Sequence, residues 1–311
     1  MPDYYLFHQN MHVFDGCDSK QNQGFNKAML TISGRLKDSR VVAAGFTEVI
    51  GFYTNKVTSA LSSMAGNLGT PLTPPALFAT GVPDSRYGTI EYTAISLSIR
   101  FKVEARGRVM LVNQKDGKPQ WTCVSDEDVP ISVVFPYITS SDTIFASDSR
   151  GLAYVCGEYG DQKMTVGFMH AISGSGRENT YQTLIGIMSL IWKKHPDYNG
   201  YPTIFGGDFV FNPSPIGDPY YAIYACVPGG LSTAVSADST DSTDNTASTA
   251  APSDCAPLST TANGCSDFWV ANEQITNDYA SVYGETKNKD EGLSDHCGIA
   301  LRLPMEVKFG D

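Results

Sequence analysis

The sequence predicts an α/β fold in which β-sheets pack face to face and a few helices cover the outside. Three observations predict it. Short runs of apolar, β-branched and aromatic residues recur along the chain and outnumber helical stretches. One segment, 178–194, has clear helical periodicity, with Leu184, Ile187, Met188 and Ile191 on one face. A single stretch reads as a linker, so the 311 residues are expected to form one domain, 1–311.

Taken in order, residues 3–14 mix aromatic and β-branched residues in a strand-like way around a polar Asn10, and Asp15-Gly16 turns the chain. Residues 23–33 have poor periodicity and fit a short helix or a strand. Arg40-Val-Val-Ala-Ala-Gly-Phe-Thr47 is a continuous small-apolar run, read as a strand buried on both faces, and it ends in Glu48. Residues 57–82 read as a weak helix followed by a Pro/Gly-rich loop. Alternation over 87–112 predicts two or three antiparallel strands, with 94–103 as one of them, and Lys115-Asp-Gly-Lys118 reads as a hairpin turn. Short strands are expected at 130–136, 152–156 and 163–170, the last ending in His170 before the loop Ser173-Gly-Ser-Gly176.

The 178–194 helix is stopped by His195-Pro196. Pro202-Thr-Ile-Phe-Gly-Gly-Asp208 is a buried strand that again ends in a carboxylate. Residues 229–264 form a Ser/Thr/Asp/Ala-rich, low-complexity insertion, expected to be a mobile exposed loop. The fold resumes at Asp267-Phe-Trp-Val-Ala271. It closes with Ser294-Asp295-His296, which leads into the short apolar strand Gly298-Ile-Ala-Leu301.

The totals exclude some classes. No run of about 18 apolar residues exists, so no membrane span is expected. Met1-Pro2-Asp3-Tyr4-Tyr5-Leu6 has neither a basic n-region nor an apolar h-region, so the protein is either intracellular or an exported chain whose signal has been removed. None of the seven cysteines forms a Cys-x-x-Cys pair, which argues against zinc. Cys226, Cys255 and Cys265 bracket the loop-like segment; they read either as a disulfide tying that loop in an exported protein or as free buried thiols.

The net charge of −11 argues against holding nucleic acid by bulk electrostatics. Between His195 and Thr286, however, there are eleven acids and no Lys or Arg, which leaves the remainder neutral, with 22 basic and 22 acidic residues. A local basic patch for phosphates therefore stays open.

Chemistry is suggested by a repeated grammar. Four apolar strands end in, or begin from, an isolated carboxylate: Glu48, Asp208, Asp267 and Asp295. Two strand ends carry histidine, His170 and His296, and Asn10 sits on a fifth strand. Each alone has an ordinary reading, Glu48 for example as a helix cap or salt-bridge partner. Together they point to one site.

The set resembles the endonuclease/exonuclease/phosphatase superfamily, which includes deoxyribonuclease I-like nucleases and inositol-phosphate phosphatases. The resemblance is carried by Asn10 in Gln-Asn-Met, Glu48 in Phe-Thr-Glu, His170 in Met-His-Ala, Gly207-Asp208-Phe209, Asp267 in Ser-Asp-Phe, and Ser294-Asp295-His296, in the family's order. Arg108-Val-Met-Leu-Val, Ser149-Arg150, Phe168-Met-His-Ala-Ile-Ser-Gly-Ser-Gly176 and Asp267-Phe-Trp-Val-Ala-Asn272 are similar to the catalytic subunit of cytolethal distending toxins.

The resemblance implies a four-layered sandwich of two packed mixed β-sheets flanked by helices, and a divalent-metal-dependent phosphodiesterase nicking DNA with little sequence preference. It implies Mg²⁺, with Mn²⁺ or Ca²⁺ as alternatives, held by Glu48, Asn10 and Asp295. By the same likeness His296 and Asp267 form a pair, Asp208 orients or deprotonates water, and His170 donates to a phosphate oxygen. Arg108 and Arg150 match positions that contact the phosphate backbone, with solvated surface cations as the alternative reading. Secretion, and delivery subunits of a toxin complex, would follow if that likeness is functional. His8 and His12 read as packing or surface residues rather than ligands.

Two departures stand out. The family's Gly-Asp-x-Asn motif has Val210 in place of its Asn, with Asn212 two residues further on as the substitute, and Gln9 stands where the toxin branch has an aromatic. A phosphoinositide phosphatase using the same site, and a non-catalytic homologue that binds a partner, are the alternatives.

Overall fold

In a computed structural model of the chain, the described residues are 3–16, 18–36, 39–50, 54–84, 89–113, 119–125, 150–171, 180–209, 221–223, 267–272, 282–283, 294, 296, 298–303 and 305–309. The strands are β1 (Tyr4–Phe14), β2 (Arg40–Ile50), β3 (Ala76–Asp84), β4 (Thr89–Leu97), β5 (Phe101–Asn113), β6 (Pro119–Ser125) and β7 (Leu152–Tyr159). They continue with β8 (Gln162–His170), β9 (Thr203–Asp208), β10 (Tyr221–Ile223), β11 (Asp267–Ala271), β12 (Val282–Tyr283) and β13 (Ile299–Leu303). Helices α1 (Ser19–Arg35), α2 (Thr54–Gly66) and α3 (Thr180–Lys194) complete the described elements, with a 3-10 turn at Pro196–Tyr198.

The strands form two mixed sheets. One has the order β12-β13-β1-β2-β4-β3 and the other β10-β11-β9-β8-β7-β5-β6. Each holds one parallel pair near its centre, β1 with β2 and β8 with β9. Leu6, Val42, Ile95, Val155, Phe168, Ile204 and Trp269 fill the space between the sheets. The outer face of the first sheet packs Phe7, Val41 and Ala44 against Phe25 and Met29 of α1 and Leu61 of α2. On the second, Phe205, Phe268 and Val270 meet Leu184, Ile187, Met188 and Ile191 of α3. The helical stripe read from the sequence is thus wholly core. The expected four layers are observed.

At one contact between the sheets there is no room for a side chain. A Cβ on Gly45 of β2 would lie 2.1 Å from the Phe168 ring of the opposite sheet. Phe168 in turn packs edge-on against Trp269, with centroids 6.0 Å apart. This explains why the β2 run has glycine at position 45.

Two expectations need correction, and one left open is decided. Residues 76–82, read as part of a Pro/Gly-rich loop, lie in β3; Pro74 and Pro75 disguised it, and Pro83 is tolerated because β3 is an edge strand. The run 94–103 is two strands in different sheets, β4 and β5. Phe101 N–H donates to the Ser98 carbonyl at 2.8 Å and turns the chain across the sandwich at Ile99-Arg100. Alternation continues through that turn, and neither Gly nor Pro marks it. Residues 23–33, open between helix and strand, lie in α1.

The 115–118 turn, the 130–136 strand and the 229–264 insertion lie outside the described residues. So do Cys226, Cys255 and Cys265, whereas Cys123 and Cys156 are free thiols. No helix among the described residues is long and apolar enough to cross a membrane.

Gly45→Ala is expected to cost about 2–3 kcal/mol of stability, since overpacking a tight core forces backbone shifts. Urea denaturation checks it; an unchanged midpoint would mean the sheets can separate at no cost.

Candidate active site

The parity that builds the core also builds the site. On β1, Tyr4 and Leu6 face the inter-sheet space; on β4, Ile95 and Leu97 do; on β8, Met164, Val166 and Phe168; on β9, Ile204; on β11, Trp269 and Ala271. Continuing each strand by twos reaches Asn10, Glu91, His170, Asp208 and Asp267. The polar group therefore occupies the same inter-sheet layer, at the end where the apolar filling stops. Register completes the convergence, because Asp208 lies opposite His170 on β8 and opposite Asp267 on β11.

The geometry is closely linked. Asn10 Nδ2 donates to Glu48 Oε1 and to Asp208 Oδ2, both at 3.1 Å. Its Oδ1 accepts from the His12 backbone N–H at 2.8 Å. As placed, Asn10 is a strut between two carboxylates, a different use of the side chain from the expected metal ligand. His296 Nδ1 donates to Asp267 Oδ2 at 2.7 Å, and its Nε2 lies 3.5 Å from Asp208 Oδ2. His170 Nδ1 donates to Glu91 Oε1 at 2.9 Å, while its Nε2 lies 3.2 Å from Glu48 Oε1. Two histidine–carboxylate pairs thus flank Glu48 and Asp208.

Two overlapping groups could hold a metal ion: Glu48, His170 and Asp208, and Asp208, Asp267 and His296. Glu48 and Asp208 supply the carboxylate oxygens that a hard divalent cation prefers. The donor set fits such an ion.

Electrostatics follow the contacts. Burial opposes charging of His170, but Glu91, Glu48 and Asp208 outweigh it and raise the imidazole to about 9. Burial likewise opposes ionisation of Glu48, yet His170 and the Asn10 hydrogen bond hold its pKa below the ordinary value. At neutral pH the metal-free site contains an imidazolium between carboxylates.

Backbone strain is concentrated here. Glu48 has φ +53°, and on the adjoining β1 His12 and Val13 have φ +45° and +62°. The β1–β2 register shifts between Asn10 and Phe14, and the β2–β4 register shifts between Phe46 and Val49. A paired bulge therefore aims Glu48 into the site, in a conformation that ordinary residues avoid.

The C-terminal motif is anchored to β1. Ser294 Oγ donates to the Asn10 carbonyl at 2.8 Å and accepts from His296 N–H at 3.1 Å. Gln9 Nε2 donates to the Asn10 and His296 carbonyls, at 2.7 and 3.2 Å. Asp295 lies between two tied residues but outside the described set, as do Asn212 and Val210.

Seven positions named from the sequence are described in this part of the fold, and six converge: Asn10, Glu48, His170, Asp208, Asp267 and His296. Arg150 stands beside them, its Nε 3.1 Å from Glu91 Oε2. Arg108 departs from expectation. It is 1% exposed, and its Nη1 donates to the Ala79 carbonyl at 2.9 Å, tying β5 to β3 across the sandwich instead of offering its charge to solvent.

Sequence reading missed Glu91, which joins His170 to Arg150. Its signal was the one used elsewhere, a lone carboxylate in an apolar strand, but it sits at the start of β4 and has no motif around it. His8 was read as packing or surface; it is fully buried beneath the site, where burial pushes its pKa down to about 3.

Comparison with known proteins comes down to structure. No protein-family model matches the chain, and no curated protein matches it in sequence. Solved structures do match. An endonuclease/exonuclease/phosphatase family protein from Bacteroides thetaiotaomicron superposes with TM-score 0.54 at 13% identity, over 97% of each chain. The chain has the endonuclease/exonuclease/phosphatase fold. TDP2 from Caenorhabditis elegans gives 0.51 at 14%, over 97% of this chain and 74% of its own. A Bacteroides thetaiotaomicron mannosyl-6-phosphatase gives 0.52 at 12%, over 97% and 100%.

Two outcomes are expected. Glu48→Gly should be more stable than Glu48→Ala by about 1 kcal/mol in urea, the reverse of an ordinary strand position, because only glycine adopts positive φ freely. Equal stabilities would mean the bulge is unstrained. In EDTA, the raised His170 pKa gives a stabilising contribution that is fully present below about pH 6.5 and is lost as pH rises through about 9. Stability should therefore fall over that window, and Glu91→Gln should flatten the fall.

Proposed function

We propose that the protein is a divalent-metal-dependent phosphoesterase, and that its reaction is hydrolysis of a phosphodiester, with DNA the first substrate to test. One observation carries the reading: two histidine–carboxylate pairs, His170–Glu91 and His296–Asp267, converge on the same two carboxylates, Glu48 and Asp208. Phosphoryl transfer needs negative charge stabilised and a nucleophile oriented, and this arrangement offers both.

A bound cation at Glu48 and Asp208, with Asp295 as the ligand expected from sequence, would supply neutralisation of the phosphate charge. His170, cationic through Glu91, donates Nε2–H to a non-bridging oxygen. Asp208 accepts the proton of the attacking water as the oxygen–phosphorus bond forms. His296, fixed by Asp267, presents Nε2 beside it; its protonated form returns a proton to the leaving oxygen as the ester bond breaks. Arg150 remains partly exposed beside Glu91 and is the described arginine placed to meet a phosphate.

A phosphomonoesterase is the second reading. Arg108, one of the two arginines expected to follow a nucleic-acid backbone, is buried, and one fold neighbour is a mannosyl-6-phosphatase. The same residues serve either reaction. Secretion and a toxin subunit's role rest on sequence motifs alone.

The deciding assay is nicking of supercoiled plasmid with Mg²⁺, with EDTA, and with His170→Ala, beside phosphate release from a sugar phosphate and an inositol phosphate. Metal-dependent nicking that falls at least about 100-fold in the variant is expected. Folded wild type that leaves plasmid intact with Mg²⁺, Mn²⁺ and Ca²⁺ overturns the diesterase; monoester hydrolysis in that case supports the second reading.

A further inference from the structure

Inside the inter-sheet core, directly under the site, His8 is an ionisable side chain that the reaction above does not use. It is fully buried, and its ring lies over Phe168 with centroids 6.2 Å and planes 16° apart. Its Nε2 is 3.1 Å from Thr47 Oγ1. Among the described residues, its Nδ1 makes no hydrogen bond, and it faces Asp267 Oδ1 at 3.8 Å. The other oxygen of that carboxylate accepts from His296 Nδ1.

The position is unusual for packing alone. A buried imidazole nitrogen without a partner is costly, and phenylalanine would fill the same space with no such cost. The gap is too narrow for water, since a bridging molecule needs its two partners roughly 4.5–5.5 Å apart. It is too wide by only about 0.8 Å for a direct hydrogen bond. Thr47, as a hydroxyl, can donate to Nε2, which leaves the ring proton on Nδ1, aimed at Asp267.

We propose that His8 is a positioning residue of the phosphoesterase site, holding Asp267 Oδ1 through Nδ1–H and so setting the carboxylate that orients His296. The chain of contacts runs Thr47, His8, Asp267, His296, Asp208, from the middle of the sandwich to its open end. The kinetic consequence rests on the phosphoesterase reading; the placement of His8 Nδ1 against Asp267 does not.

Two variants separate positioning from packing. Asparagine places its side-chain nitrogen where the imidazole carries Nδ1, whereas phenylalanine keeps the ring and the stack but has no donor. His8→Asn is expected to keep kcat within about three-fold, and His8→Phe to lower it about ten-fold or more with KM little changed, the size usual for losing a partner that orients a catalytic group. Nitrogen NMR of the imidazole should find the neutral Nδ1–H form, and the His296 Nδ1–H resonance should move in His8→Phe but not in His8→Asn. A folded His8→Phe with wild-type kcat overturns the proposal, as does an Nε2–H form of His8. If wild type hydrolyses no phosphate ester at all, the phosphoesterase reading fails, and the two NMR measurements still decide His8.

Discussion

Two carboxylates of like charge, Glu48 and Asp208, share one amide nitrogen at the mouth of an apolar core, and much of the surrounding structure serves to make that tolerable. Their side chains are 15% and 5% exposed, so water alone does not solvate them. Asn10 donates to both. His170, made cationic by Glu91, stands beside Glu48, and His296, held by Asp267, stands beside Asp208. On the proposed reading, charge that is expensive in the free protein is charge prepared for a cation and a phosphate.

The fold stores cost at this end in a second form. The bulges of β1 and β2 carry three residues at positive φ, Val13 among them, in two strands that are central to their sheet. The opposite requirement rules the middle of the sandwich, where Gly45 must remain small for Phe168 to seat. The site is strained and polar, and the scaffold beneath it is dense and apolar; the second makes the first possible. Fold likeness at 12–14% identity is consistent with this division, since a scaffold defined by parity and packing can keep its shape while its sequence differs.

How much was legible follows from which signals are local. The apolar runs of β2, β8 and β9 and the stripe of α3 depend on spacing along the chain, and they were read correctly. Isolated polar residues at strand ends are a local signal too, and Asn10, Glu48, His170, Asp208, Asp267 and His296, named by it, lie together in the structure. The strand break at Ile99-Arg100 left no trace because alternation is blind to which sheet a residue faces.

The sequence by itself determined the inventory: strands, one clear helix, and a set of acids, histidines and an asparagine that interrupt apolar runs. Only the tertiary structure decided how these are used. It turned Arg108 inward to the Ala79 carbonyl, put Glu91 behind His170, and set His8 beneath Asp267. The reason is physical. Spacing specifies which face of a strand a side chain occupies, but its partner is chosen by the register of neighbouring strands and the facing of two sheets, through contacts between residues far apart in sequence, such as His8 and Asp267, 259 positions apart.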